Sequence, residues 1–154
     1  MSLNRLKSRT PSAHRLGVFE LPGHKLKFHK IGKDGSAKCD AFFTGIEGDI
    51  VEGVVFEIEP PEIVVLDRAE GLGKGYDKMN VIVSNKQGVK LDVFLYFATN
   101  MDDSLLPFSW YKQHVLEGAK SAGLTGNYIS EIMDIKTICD LDSSRESREL
   151  KIYQ

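Results

Sequence analysis

The sequence predicts an α+β domain built on a closed or strongly curved mixed sheet. Strand-like segments fill the first half of the chain, one helix lies among them in mid-chain, and two further helices follow near the end. At 154 residues the chain is long enough for one domain with a real core and too short for two comfortable ones. Hydrophobic residues make up 42% and charged residues 27%, which is typical of a globular protein.

Composition argues against several classes of partner. The net charge of −2 gives no electrostatic reason to expect binding to nucleic acid or to an anionic membrane. No run of apolar residues approaches the length of a membrane span. The two cysteines, Cys39 and Cys139, are far apart and form neither a CxxC pair nor a metal-like cluster. Reduced thiols are the default for such a pattern, so we expect a cytoplasmic protein.

The N-terminal half is predicted to contain one short helix followed by four strands. A helix over residues 2–8 is preferred to an organellar transit peptide, although no acid precedes Glu20, because Pro11 interrupts the segment and strand-like sequence follows. Cationic and apolar residues alternate over 25–31, which is typical of a half-buried strand. Residues 49–58 are rich in valine and isoleucine and indicate a largely buried strand. The four predicted strands are 16–21, 25–31, 37–44 and 49–58.

The C-terminal half is predicted to be mainly helical after a hairpin. Ser109 is a candidate N-cap for a long helix, and Asn127 for a helix of little more than two turns. From Asp140 onward the chain is strongly charged, so we expect a frayed helix or tail there. The domain is therefore placed at residues 1–139 and the tail at 140–154. The predicted elements are helix 61–70, strands 78–84 and 89–99 around a turn at 85–88, helix 109–122 and helix 127–133.

Glu70 is the residue of greatest chemical interest in this pattern. In a helix that starts at Pro61 and is capped by Gly71, Glu70 shares one face with Ile63 and Leu66. A negative charge at a helix C-terminus is disfavoured by about 0.3–1 kcal/mol when exposed. Burial beside apolar side chains would also favour the neutral carboxyl group, as suits a general base near neutral pH. The alternative is a slightly rotated helix in which this carboxylate is simply solvated.

Metal and phosphate sites are not expected. His24 and His29 have no third ligand at a suitable spacing, so we interpret them as turn and strand-face histidines. The glycine-containing loop at 32–36 lacks the GxxxxGK[ST] pattern of a phosphate cradle. Asp102 and Asp103, with a serine beside them, are more typical of a solvated loop than of a cation site. We therefore expect no metal and no cofactor.

Four stretches of the sequence together resemble the gamma-glutamylcyclotransferase family, whose fold is also called AIG2-like. They occur in that family's order and spacing and span residues 1–133. The set after a Gly-Val-Val strand, Leu-Asp-x-x-Glu-Gly followed by Gly-Tyr, is the most specific of the four. The stretches are residues 1–6 with Arg9-Thr10-Pro11-Ser12-Ala13; residues 49–58; Leu66-Asp67 with Glu70-Gly71 and Gly75-Tyr76; and Tyr111-Lys112 with Gly118-Ala119-Lys120 and Gly123-Leu124.

The resemblance implies a fold, a reaction and two site residues. The fold is a small mixed or closed β-barrel flanked by helices, often as a homodimer, and the enzyme needs no metal or nucleotide. The substrate's α-amine attacks its own γ-carbonyl, which releases an amine or amino acid and leaves 5-oxoproline. The resemblance makes Glu70 the catalytic acid/base and Tyr111 a substrate-binding residue. From the residues alone, Tyr111 is equally well explained as a core aromatic at the start of a helix.

One part of the family pattern lies before the position of Met1. There the family has a strand ending in Tyr-Gly-Ser-Asn, whose backbone N–H groups bind the glutamyl end of the substrate. A chain without this loop is expected to expose strand edges and to turn substrate over weakly or not at all. Two alternatives to the leading function stay open: a cyclotransferase for another gamma-glutamyl amide or amine, and a non-catalytic binding protein. Asp67 lies three residues before Glu70, where the two carboxylates could couple, although another partner is expected for it.

Overall fold

The computed structural model describes residues 3–153, apart from the side chain of Asn4. Within that range the chain forms six strands, five α-helices and a final short 3-10 helix. In order these are α1 (Leu3–Lys7), β1 (His14–Pro22), β2 (His24–Ile31), β3 (Ala37–Phe43), β4 (Ile50–Glu57), α2 (Pro60–Glu70), β5 (Tyr76–Ser84), β6 (Lys90–Ala98), α3 (Ser109–Ala122), α4 (Gly126–Asp134), α5 (Ser143–Leu150) and the 3-10 helix Lys151–Tyr153.

The six strands form two antiparallel sheets. The larger sheet has the order β4-β1-β5-β6, and the smaller one pairs β2 with β3. Strands β1 and β4 pair along their whole length, as do β5 and β6. In contrast, β1 meets β5 at a single residue pair, Glu20 and Ser84. The predicted α+β class with flanking helices is confirmed. The described strands are all antiparallel and form two sheets that do not close into one barrel, since β4 and β6 are the edges of the larger sheet and do not pair with each other.

The side chain of Asp40 links the two sheets. The Asp40 carboxylate on β3 accepts a hydrogen bond of 2.9 Å from the backbone N–H of Ala98 at the end of β6. Asp40 and His29 are both buried, and the His29 Nε2 atom lies 3.0 Å from the Asp40 carboxylate. The other His29 nitrogen lies 3.2 Å from Asp103. This polar link fixes the position of the smaller sheet against the edge of the larger one.

Helix boundaries follow local chain chemistry, with two differences from the predicted caps. Helix α2 starts with two prolines and ends at Gly71, whose φ of 76° is the left-handed conformation that glycine favours. The N-cap of α3 is Phe108 and not Ser109, and no side chain caps that end. The N-cap of α4 is Thr125 and not Asn127, because the Thr125 hydroxyl accepts the N–H of Tyr128. The predicted start of the first helix, residue 2, lies outside the described residues.

The core consists of separate apolar clusters beneath the helices and the sheet. Helices α3 and α4 share one cluster, β1 and β5 contribute to a second, and α1 packs against α2 in the third. The third cluster determines where the end of α2 lies. The buried members are Leu116, Ala119, Tyr128 and Ile132 in the first; Phe19, Leu21 and Val83 in the second; and Leu6, Ala13 and Leu66 in the third.

The charged C-terminal segment contains a helix that contacts α3. The buried indole N–H of Trp110 donates to Asp140 at 2.8 Å, and the Arg145 guanidinium donates two hydrogen bonds to the same carboxylate. Further along α5, Glu149 lies 3.1 Å from the Nε2 atom of buried His114. A frayed helix or tail was expected here, and the structure has a helix whose side chains anchor the segment to α3. The domain boundary after Cys139 stays a prediction.

Candidate functional site

A cleft of about 730 Å³ is bounded by strands of both sheets and by α1, α2 and α3. Most of its wall is aliphatic, which follows from the valine- and leucine-rich inner faces of β1, β4, β5 and β6. Polar side chains line the same cleft, and several of them contact one another. The polar lining residues used below are Arg9, Cys39, Asp40, Glu70, Tyr76, Tyr96 and Tyr111.

Glu70 is placed in this cleft by the packing of α1 against α2. Buried Leu66, one turn earlier on α2, contacts Leu6 and Ala13, so the segment after α1 lies beside the end of α2. As a result, Arg9 Nη1 donates a 2.7 Å hydrogen bond to Glu70 Oε1, although the two residues are 61 positions apart. The side chains of Arg9 and Glu70 are 26% and 19% exposed. The predicted catalytic carboxylate therefore belongs to a mostly buried ion pair.

Asp67, one turn before Glu70, has other partners. Lys78 Nζ lies 3.0 Å from both of its carboxylate oxygens, and the Tyr96 hydroxyl donates to it at 2.5 Å. Burial would raise the pKa of Asp67, but the hydrogen bonds from Tyr96 and Lys78 outweigh burial and hold that pKa below its usual range. Asp67 is thus an ionised anchor that attaches α2 to β5 and β6.

Tyr111 contacts Cys39 on β3. The Cys39 N–H donates to the Tyr111 hydroxyl at 3.1 Å, and the Cys39 Sγ atom lies at the same distance from that oxygen. Tyr76 reaches the same residue from the other side, because its hydroxyl donates to the Cys39 carbonyl at 2.7 Å. Tyr111 therefore lines the cleft that also contains Glu70. Tyr111 and Tyr76 both contact the same residue of β3, Cys39.

Both phenols are protonated at neutral pH. Burial raises the pKa of Tyr111 and of Tyr76 well above the usual range, and the nearby Cys39 raises both further. A neutral phenol can donate one hydrogen bond and also accept one, but it does not serve as a phenolate base. In this part of the cleft the carboxylates are Glu70 and Asp40, and the tyrosines are neutral polar contacts.

Sequence reasoning left two members of this group without a role. Arg9 and Tyr76 were both part of the stretches that carried the family resemblance, but neither was assigned a function. Tyr76 could have been found from its place immediately after the glycine-rich loop that follows Glu70. Arg9 is 61 residues from Glu70, and no local pattern in a single sequence reports that contact.

Two of the residues considered for metal binding, His29 and Asp103, are in contact, but no third ligand joins them among the described residues. In the described part of the chain, no three histidine, cysteine, aspartate or glutamate side chains form a metal-like group. His29 is placed between Asp40 and Asp103, whereas His24 contacts the carbonyl of Pro22 at 2.8 Å. None of the helices between residues 3 and 153 is long and apolar enough to cross a membrane.

Comparisons with known proteins identify the family. Residues 50–132 match the AIG2-like family. The chain is 32% identical to the gamma-glutamylcyclotransferase of Bos taurus over 136 residues, which cover 86% of this chain and 72% of that protein. The human gamma-glutamylcyclotransferase is 31% identical over the same length and coverage. A solved structure of a gamma-glutamyl cyclotransferase superposes with a TM-score of 0.84 and 26% identity, covering 97% of this chain and 92% of that one. With its sequence relatives and its fold in agreement, the chain belongs to the AIG2-like, gamma-glutamylcyclotransferase family.

Proposed function

We propose that this chain is a gamma-glutamylcyclotransferase that converts gamma-glutamyl amino acids into 5-oxoproline and the free amino acid, with Glu70 as general acid/base. The observation that carries the proposal is the position of Glu70, whose carboxylate lines the large cleft at the end of α2. Relatives that carry the name gamma-glutamylcyclotransferase support the reaction class.

The reaction is suited to a site with one catalytic carboxylate. The nucleophile and the electrophile belong to the same substrate molecule, so proximity supplies much of the acceleration. Glu70 takes a proton from the α-ammonium group, and the freed amine attacks the γ-carbonyl carbon. The new C–N bond closes a five-membered ring, and the tetrahedral intermediate then expels the leaving nitrogen. Glu70 gives its proton to that nitrogen as the C–N bond breaks. The regenerated carboxylate then takes the second proton from the ring nitrogen and passes it to solvent or to the released amine, so the products are 5-oxoproline and the free amino acid.

Tyr111 would assist as a neutral hydrogen-bond donor. During ring closure, negative charge develops on the carbonyl oxygen, and donors placed in advance stabilise it. The Tyr111 hydroxyl lines the cleft and is kept protonated by burial, whereas the Tyr76 O–H is already donated to the Cys39 carbonyl. We assign Tyr111 to substrate binding, with its phenol directed to the amide portion. No step of this mechanism uses a metal or a nucleotide.

Assembly and location belong to the same proposal. From the family resemblance we infer a homodimer, and from the two free thiols, Cys39 and Cys139, a reducing cytoplasmic location. Light scattering after size-exclusion chromatography would distinguish the mass of one chain from that of two. A monomer at all concentrations tested would contradict the dimer without affecting the reaction.

A substrate panel tests the proposed reaction. The purified chain is incubated with several gamma-glutamyl amino acids and with the gamma-glutamyl amide of the lysine side chain, and 5-oxoproline is quantified by chromatography. We expect 5-oxoproline and the released amino acid to form in equal amounts, above the uncatalysed rate, from at least one gamma-glutamyl amino acid. Preference for the lysine side-chain amide would move the function to gamma-glutamylamine cleavage. Formation of no 5-oxoproline from any compound would overturn the proposal.

A further inference from the structure

The ion pair between Arg9 and Glu70 leaves hydrogen-bonding capacity unused in the cleft. Their 2.7 Å contact joins Nη1 to Oε1. Among the described residues it is the one hydrogen bond that either side chain makes, so the remaining N–H groups of Arg9 and the Oε2 atom of Glu70 have no protein partner there. A guanidinium offers five N–H donors, and a carboxylate can accept several hydrogen bonds. The pair therefore has unused N–H donors on Arg9 next to an unused acceptor oxygen on Glu70.

The surroundings make this spare capacity significant. Only about a quarter of the Arg9 side chain and a fifth of the Glu70 side chain are exposed, and the rest of the cleft wall is mainly aliphatic. Partly buried charges are stabilised when further polar groups satisfy them. A ligand with a positively charged and a negatively charged group on the same carbon atom would supply a partner for Glu70 and a partner for Arg9 together. A simple anion or cation would satisfy one member and repel the other.

Nearby cations are less suited to receive an anionic ligand. Lys78 is bound to Asp67, and Lys38 donates to both Asp34 and the Ser36 hydroxyl. Lys30 lies over the ring of Tyr76 and does not line the cleft. Arg5 does line it, but lies 3.5 Å from Glu149 on α5. Arg9 thus combines a place in the cleft, contact with Glu70 and unused donors.

We propose that the Arg9–Glu70 pair binds the α-amino acid head of the substrate, with Arg9 holding the α-carboxylate and Glu70 Oε2 the α-ammonium. This inference rests on the proposed function and names the residue that selects the substrate's charged end. An arginine fork matches the two oxygens of a carboxylate, and such charge-assisted pairs are the strong ones. Arg9 is then a substrate-binding residue. By holding the α-carboxylate of the substrate, Arg9 places the neighbouring α-ammonium group against the Glu70 carboxylate, which takes its proton.

Paired substrates provide the test. One is a gamma-glutamyl amino acid, and the other is the corresponding 4-aminobutyryl amide, which has the same amine and γ-carbonyl but lacks the α-carboxylate. Both can cyclise, the second to 2-pyrrolidinone. The variants are Arg9→Met, which removes the charge, and Arg9→Lys, which keeps the charge but loses the fork. Arg68→Met, at an exposed position of α2, is the control, since the Arg68 side chain makes no hydrogen bond or ion pair with the described residues.

Arg9→Met should lower kcat/KM for the gamma-glutamyl compound by roughly 10- to 100-fold, as loss of a charged hydrogen bond predicts. It should change kcat/KM for the 4-aminobutyryl compound by less than about threefold, since that compound lacks the group that Arg9 binds. Arg9→Lys should give an intermediate loss. Arg68→Met should behave as the wild type does. If Arg9→Met does not fold, the ratio of the two substrates in Arg9→Lys decides the question.

Equal losses for the two substrates, or no loss for either, would overturn the role of Arg9 while leaving the proposed reaction intact. Calorimetric titration detects the opposite case, in which Arg9 binds the substrate but no reaction occurs. Wild-type chain that binds the gamma-glutamyl compound more tightly than the 4-aminobutyryl compound, loses that preference in Arg9→Met, and forms no 5-oxoproline would support Arg9 and overturn the reaction. Absence of both binding and turnover would overturn both proposals.

Discussion

Replacing Glu70 with Gln removes the proposed proton acceptor while keeping the size and shape of the side chain. A positioned acid/base group contributes typically about 10²- to 10⁴-fold to a rate. That range corresponds to roughly 3–5 kcal/mol of activation free energy. The amide oxygen can still accept the hydrogen bond from Arg9, but the NH2 group that replaces Oε2 cannot accept one from the substrate's α-ammonium. We therefore expect kcat for 5-oxoproline formation to fall by at least about 100-fold, with a smaller rise in KM of about tenfold for the lost charged hydrogen bond.

The same variant should remain folded. The side chains of the Arg9–Glu70 pair are mostly buried, but the glutamine oxygen keeps an acceptor for Arg9. Exchange of a charged for a neutral hydrogen bond should lower the free energy of unfolding by about 1 kcal/mol. In a chain of this length that corresponds to at most about 4 °C in the thermal midpoint. Glu59→Gln, an identical exchange at an exposed position before α2, is the control for both measurements. An unchanged kcat in Glu70→Gln would remove Glu70 from the mechanism.

Three further variants test neighbouring parts of the structure. Tyr111→Phe should lower kcat/KM by about 3- to 10-fold in the 5-oxoproline assay, the value of one neutral hydrogen bond, and full activity would remove its hydroxyl from substrate binding. Asp67→Asn should lower the thermal midpoint at pH 7. The folded-state pKa of Asp67 is depressed below 3.8, so its stabilisation is fully present above that pH and is lost as the pH falls through the lower, folded-state pKa. The difference in midpoint between wild type and variant should therefore disappear at low pH, and a constant difference would contradict the argument. Removing residues 140–154 should lower the midpoint by leaving the Trp110 N–H without its acceptor, a loss of about 1–3 kcal/mol, whereas an unchanged midpoint would support a domain that ends at Cys139.

The local elements could be predicted because their signals are local. Alternating and β-branched residues located each strand to within a few positions, and Gly71 and Gly123 ended their helices where expected. Caps were less predictable. Thr125 and Asn127 are both good N-cap residues, and the structure uses Thr125, whose hydroxyl and N–H are also bonded to Glu52 on β4. The contact of Thr125 with Glu52, 73 positions away, therefore favours Thr125 over Asn127 as the N-cap.

The charged contacts between elements could not be predicted from local patterns. The segment from Asp140 was interpreted as a tail because its composition is charged, yet its charges have specific partners on α3 and on α1. The limited pairing of β1 with β5, at one residue pair, could not be predicted either, since each strand has an apolar face suitable for a closed sheet. Glu70 itself was located correctly in the helix, but its pairing with Arg9 depends on how α1 packs against α2.

The acids along α2 show why Glu70, among its neighbours, is suited to chemistry. Glu62 accepts hydrogen bonds from the backbone and hydroxyl of Ser12, which attach the start of the helix to the segment before β1. Asp67 accepts three hydrogen bonds from two side chains, which attach the middle of the helix to the hairpin. Glu70 accepts one, and it lies where the helix ends at the cleft. Glu62 and Asp67 would lose these structural contacts if they changed partners, whereas Glu70 has its second oxygen, Oε2, available for the proposed proton transfer while Arg9 contacts Oε1.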